Sequence, residues 1–205
     1  MQHETTTGRS RLRTVAGKGF LAVWIPLVTL GVSSLMVGHI APLPAPRASA
    51  DSASPALRRA RARGADLAVV HFLYADCSCS QRVAEHLTRS ERPAGAAENV
   101  MLVGDDDSLA RALEARGFVV EAETQTSAEA RFGSFAAPAL TVLDAESGRV
   151  EYVGGYTSRK QGLDVRDLEI IAACAEGAPP AALPVLGCGA TADLERMLDP
   201  LRIKN

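Results

Sequence analysis

Residues 67–74, Leu-Ala-Val-Val-His-Phe-Leu-Tyr, form a run of strand length that is apolar except for His71. A strand with one wet face alternates apolar and polar side chains; a continuous apolar run needs cover on both faces. This segment is therefore expected to be a central strand with helices on either side. The downstream pattern supplies them. Residues 81–89 put Val83, Ala84 and Leu87 on one helical face. Residues 99–104 read as a second strand. Residues 105–108 offer helix N-caps for an amphipathic segment, 109–116, which Gly117 ends. Residues 118–121 predict a short strand and 127–132 a helical turn. Residues 139–143 and 149–153 predict a hairpin turning at Glu146-Ser147-Gly148, and 164–175 a last helix. Strands alternating with helices, then a hairpin, predict an α/β fold: a three-layer α/β/α sandwich around a mixed central sheet.

One apolar segment stands outside that domain. Residues 20–40 hold no Asp, Glu, Lys or Arg, and about 20 such residues cross a bilayer as a helix. Trp24 and His39 lie near its ends, and Pro26 falls in the first turn, where its missing N–H costs little. Arg9, Arg11, Arg13 and Lys18 precede it. The positive-inside rule then puts the N-terminus in the cytoplasm and the domain outside it, in the periplasm of a two-membrane cell. A cleaved signal peptide ending near Ala48-Ser49-Ala50 is the alternative, although the run exceeds the roughly 7–15 apolar residues of such signals. Both readings export the rest of the chain. Residues 41–55, rich in Pro, Ala and Ser, read as a spacer. Residues 56–63, with four Arg, read as a leading helix or a basic stretch at the lipid surface. The net charge of −2 and 4% aromatic content give no footprint for nucleic acid.

The chemistry concentrates at Asp76-Cys77-Ser78-Cys79-Ser80, between the central strand and its helix. Unpaired N–H groups and the dipole at a helix start favour a thiolate, which is the attacking species in exchange. Cys77 is the candidate nucleophile and Cys79 the candidate resolving thiol. Residues 70–77, Val-His-Phe-Leu-Tyr-Ala-Asp-Cys, resemble the strand and active-site start of thioredoxin-like proteins. Residues 103–156 are similar to the TlpA-like branch, with Ala130-Arg-Phe-Gly133 ahead of a Pro-led strand, an Asp144-x-x-Ser147-Gly148-Arg149 turn, and Gly154-Gly155. The resemblance covers roughly residues 65–175.

It implies a membrane-anchored thiol–disulfide oxidoreductase that needs no cofactor. Its partners would be exported protein thiols or disulfides and an unidentified redox partner. It also implies a cis Ala137–Pro138 bond facing Cys77, and it gives His71 the position of a buried proton acceptor, a catalytic role suited to imidazole. The chain divides accordingly into a cytoplasmic segment (1–19), an anchor (20–40), a linker (41–64), a thioredoxin-like domain (65–176) and an extension carrying Cys188 (177–205).

Two other functions stay open. Soft thiolates suit Cu(I) or Zn, with Cys77, Cys79 and His71 as ligands and His86 as a further nitrogen. A redox-silent scaffold of the same fold is the other. Cys174 and Cys188 read as a structural disulfide tying the extension to the domain, with Cys188 as a second redox thiol being the sharper alternative.

The usual motif of this family is Cys-x-x-Cys, whereas a single Ser separates Cys77 from Cys79. Bridging so short a span strains the disulfide, and strained disulfides are more oxidising. The Cys77–Cys79 reduction potential, measured against glutathione, is expected above about −300 mV, the upper bound for structural disulfides. A lower value would contradict the strain argument.

Overall fold

The computed structural model describes residues 18–33, 42–159 and 164–198. They fall in two units, Met1–Ala41 and Pro42–Asn205. In the first, residues 18–33 form a helix, α1, with Phe20, Trp24 and Leu30 among its exposed side chains. Among the described residues, no helix is long and apolar enough to cross a membrane. The expected span at 20–40 lies partly outside them, since 34–40 are not described; neither are Arg9, Arg11 and Arg13.

In the second unit the run at 67–74 becomes β1 (Leu67–Tyr74), and all eight of its residues are buried. It is followed by α3 (Ser78–Arg89), β2 (Ala96–Val103), α4 (Asp107–Glu114), β3 (Val119–Glu123) and α5 (Gln125–Phe132). A two-residue strand β4 (Ala136–Ala137), the hairpin β5 (Ala139–Asp144) and β6 (Val150–Gly154), and α6 (Asp167–Ala175) come next. The helix α2 (Ser54–Arg63) precedes β1, and β7 (Cys188–Gly189) and α7 (Ala192–Leu198) close the unit. The sheet order is β3-β2-β1-β5-β6, with β1 in the middle. β1, β2 and β3 run parallel, while β5 opposes β1 and β6 opposes β5. This α/β architecture with a mixed sheet fits a thioredoxin-like sandwich.

Both faces of β1 are covered, as its sequence requires. Val69 and Leu73 pack with Val83, Ala84 and Leu87 of α3, Leu113 of α4, and Ile170 and Ile171 of α6. On the other face Val70, Phe72 and Tyr74 meet Phe132, Phe135, Val185 and Leu194. Phe72 stands edge-on to Phe132 and Phe135, with centroids 4.9 and 5.4 Å away. Local signals hold where they are strongest. Asp106 caps α4, its carboxylate accepting from the Ser108 and Leu109 amides, and Thr124 caps α5 by accepting from the Ser127 amide.

The flanks differ from their expected roles. Residues 42–64, read as a linker, are part of this unit. Leu43 bridges to Val185, the Pro44 carbonyl accepts from the Ala136 amide, and Arg47 donates to the Phe132 carbonyl. Helix α2 buries Ala56, Leu57 and Ala60. Small side chains let this segment lie against the sheet, so a composition typical of a spacer serves as packing instead. The extension after residue 176 also enters the core, through Val185, Ala190 and Leu194.

A buried polar network ties β1 to β2, α3 and α6. His71 Nε2 lies 2.8 Å from Glu98 Oε2, and its Nδ1 lies 2.8 Å from the Tyr156 hydroxyl. Arg92 donates to both Glu98 oxygens and, at 2.7 Å, to Asp167. Asp167 also pairs with His86 at 2.9 Å. Burial opposes ionisation of Glu98, but hydrogen bonds and charge from His71 and Arg92 prevail and hold its pKa at about 2. Paired charges of this kind cost most when one partner is removed. Arg92→Ala is expected to lower stability by about 3–5 kcal/mol, read from urea unfolding. Because the Glu98 pKa is depressed from 4.5, its contribution is complete above that pH and is lost as pH falls toward 2. The associated loss, about 3 kcal/mol, should be absent from Glu98→Gln.

Candidate functional site

The site forms where β1 gives way to α3. The Ser80 hydroxyl accepts from the Tyr74 amide at 3.0 Å, and the Cys77 amide donates to the Tyr74 carbonyl at 3.1 Å. These bonds turn the chain sharply, so Cys77 becomes the N-cap of α3 in extended conformation. Its side chain makes no capping bond and points into the cluster of Phe72, Phe135 and Ala137. Cys77 is completely buried, with Sγ 3.7 Å from the Ala137 carbonyl oxygen. The Ala137–Pro138 peptide is cis, as the resemblance implies. Cys79 lies in the first turn of α3, half-buried against the same cluster.

The remaining member comes from the far end of the chain. β7 runs antiparallel to β4, and Cys188 sits opposite Ala137. This register brings Cys188 Sγ to 2.6 Å from Cys77 Sγ. The extension is seated by backbone contact. The Ala190 amide donates to the Phe135 carbonyl at 3.0 Å, and the Gly155 amide to the Leu183 carbonyl at 2.9 Å. Glu195 accepts from Gln125 at 2.8 Å and from the Tyr74 hydroxyl at 3.4 Å. Glycines make the approach possible: a Cβ on Gly187 would lie 1.9 Å from the Ala137 carbonyl oxygen, and one on Gly155 would lie 2.0 Å from that of Pro184.

Cys77 does not have the lowered pKa expected at a helix start. The Cys188 contact pushes its thiol up, and burial adds to the rise. Bonds from Cys79 and the Ser80 amide pull it down by less. An adjacent sulfur and the loss of water here outweigh the helix terminus.

The other expected site residues are elsewhere. Cys174 is a free thiol on the opposite face of the sheet, among Ile170, Ile171 and Tyr152, with its pKa pushed up to about 11 by burial. The expected Cys174–Cys188 staple is thus not formed, because β7 carries Cys188 to the Cys77 face. His71 also points away from the sulfurs. Alternation along β1 puts it on the face opposite Phe72, and both its ring nitrogens are engaged, by Tyr156 and Glu98. The structure thus holds its imidazole with these two partners, on the face of the sheet away from Cys77. His86 pairs with Asp167 instead. Among the described residues, no group of three or more His, Cys, Asp or Glu side chains is placed to hold a metal ion.

The fold is similar to that of a hypothetical protein from Sinorhizobium meliloti 1021, with a TM-score of 0.50 and 20% identity over 67% of this chain and 83% of that one. A conserved uncharacterized protein from Geobacillus kaustophilus matches with a TM-score of 0.45 and 19% identity, over 60% of this chain and 75% of its own. No protein-family model matches the chain, and no curated protein does. The first likeness supports the α/β mixed-sheet fold and carries no activity with it.

The sequence did hold a signal for Cys188, namely the glycines on either side of it, which allow close backbone approach. Gly187→Ala is expected to force β7 away from β4. If the clash makes opening at least 1.4 kcal/mol easier, Cys77 alkylation by N-ethylmaleimide under native conditions rises about tenfold or more. An unchanged rate would mean that β7 does not cover this thiol.

Proposed function

We propose that this chain is a membrane-anchored, TlpA-like thiol–disulfide oxidoreductase working outside the cytoplasm through Cys77 and Cys79. The observation that carries the reading is the setting of Cys77. It stands at the N-cap position of the helix after a central strand, touches the Ala137 carbonyl beside the cis Pro138, and has Cys79 as a contact in the helix's first turn. A thiol held between a second thiol and the backbone carbonyl before a cis proline is arranged for disulfide exchange. Because Cys77 is completely buried, exchange begins when it is uncovered or when a neighbouring sulfur reacts first. The anchor rests on the uncharged run at 20–40 and the basic residues before it.

The test uses carbonate-washed membranes from cells expressing the full chain. They are expected to catalyse insulin reduction by dithiothreitol, and Cys77→Ser is expected to reduce the rate to background. Activity confined to the soluble fraction would remove the anchor. An unaffected Cys77→Ser would remove the proposed chemistry.

A further inference from the structure

Cys77 is the most buried sulfur of the site, at 0% exposure, yet it touches two others. Cys188 is 2.6 Å away and Cys79 contacts it from the same helix. Cys188 and Cys79 both reach solvent in part. A disulfide needs about 2.05 Å between sulfurs, so a small movement suffices to bond Cys77 to Cys188. The extension is held over Cys77 by the β4 register, the Gly187 approach and the Glu195 contacts. A substrate disulfide in solution therefore meets Cys188 before it meets Cys77.

We infer that Cys188 is a third redox cysteine, which exchanges with substrate disulfides and passes the oxidised state to Cys77. The inference rests on the Cys77–Cys79 chemistry proposed above and adds the route by which substrate reaches it. In the first step the Cys188 thiolate attacks a protein or small-molecule disulfide. A Cys188–substrate bond forms, the substrate's S–S bond breaks, and one substrate thiol leaves with a proton. In the second, Cys77 attacks the Cys188 sulfur, forming Cys77–Cys188 and releasing the other substrate thiol. In the third, Cys79 attacks Cys77, forming Cys77–Cys79 and returning Cys188 to the thiol. Two protein thiols are oxidised, one substrate disulfide is reduced, and the two protons lost from Cys77 and Cys79 appear on the substrate thiols. The raised pKa of Cys77 suits this order, since it reacts with a neighbour held in contact rather than with a molecule arriving from water.

The test adds oxidised glutathione to the reduced full-length protein, quenches with acid, alkylates, and maps peptides without reductant. Cys79→Ser halts the relay at its second step, so a Cys77–Cys188 peptide is expected to accumulate. Cys188→Ser is expected to slow formation of Cys77–Cys79 by about tenfold or more, with an unchanged circular dichroism spectrum. Full-rate oxidation of Cys77 in Cys188→Ser would make Cys79 the receiving thiol and overturn the proposal. So would the absence of a Cys77–Cys188 peptide from oxidised, folded Cys79→Ser. Failure of the underlying pair reads differently: wild-type protein would then yield no Cys77–Cys79 peptide, whatever Cys188 does.

Discussion

Burial of β1 on both faces is the constraint from which the rest of the unit follows. All eight residues of the strand are buried, and each large side chain removed from water contributes roughly 1.5–3 kcal/mol. One face is satisfied by α3, α4 and α6. The other is only partly satisfied by α5, and the chain completes it with segments from both flanks, Leu43 and Ala45 before the sheet and Val185 to Leu194 after it. The extension is therefore part of the core. Its attachment to Phe72 and Tyr74 is also what carries Cys188 to the site.

Core and site share this origin, which explains their electrostatics. The sheet separates two environments. On the α3 and α6 face, His71, Glu98, Arg92 and Asp167 form a network in which buried charge is paired. On the opposite face, three sulfurs sit among alanines and phenylalanines. The Cys188 contact and burial there oppose a thiolate on Cys77.

Several features were legible in the sequence because they depend on local chemistry. The apolar run predicted a central strand, and Asp106 lies among the residues predicted to cap α4; the cis Ala137–Pro138 bond was implied by the family resemblance. Features that depend on side-chain direction were less legible. His71 is six residues from Cys77 in sequence, yet alternation along the strand turns it to the other face. Composition also misled in the spacer read over 41–55, of which the described residues begin at 42, since Pro, Ala and Ser suit either a loose spacer or a close-packed strap.

By itself, then, the sequence determined the order of strands and helices, the central position of β1 and the placing of Cys77 and Cys79 at a helix start. These follow from periodicity, capping and turn chemistry, which act over a few residues. Only the tertiary structure decided which cysteine meets Cys77. Cys188 is 111 residues away in sequence, on a two-residue strand too short to show a period of its own. Its register against Ala137 arises from backbone hydrogen bonds and glycine contacts that exist only once both faces of β1 are closed.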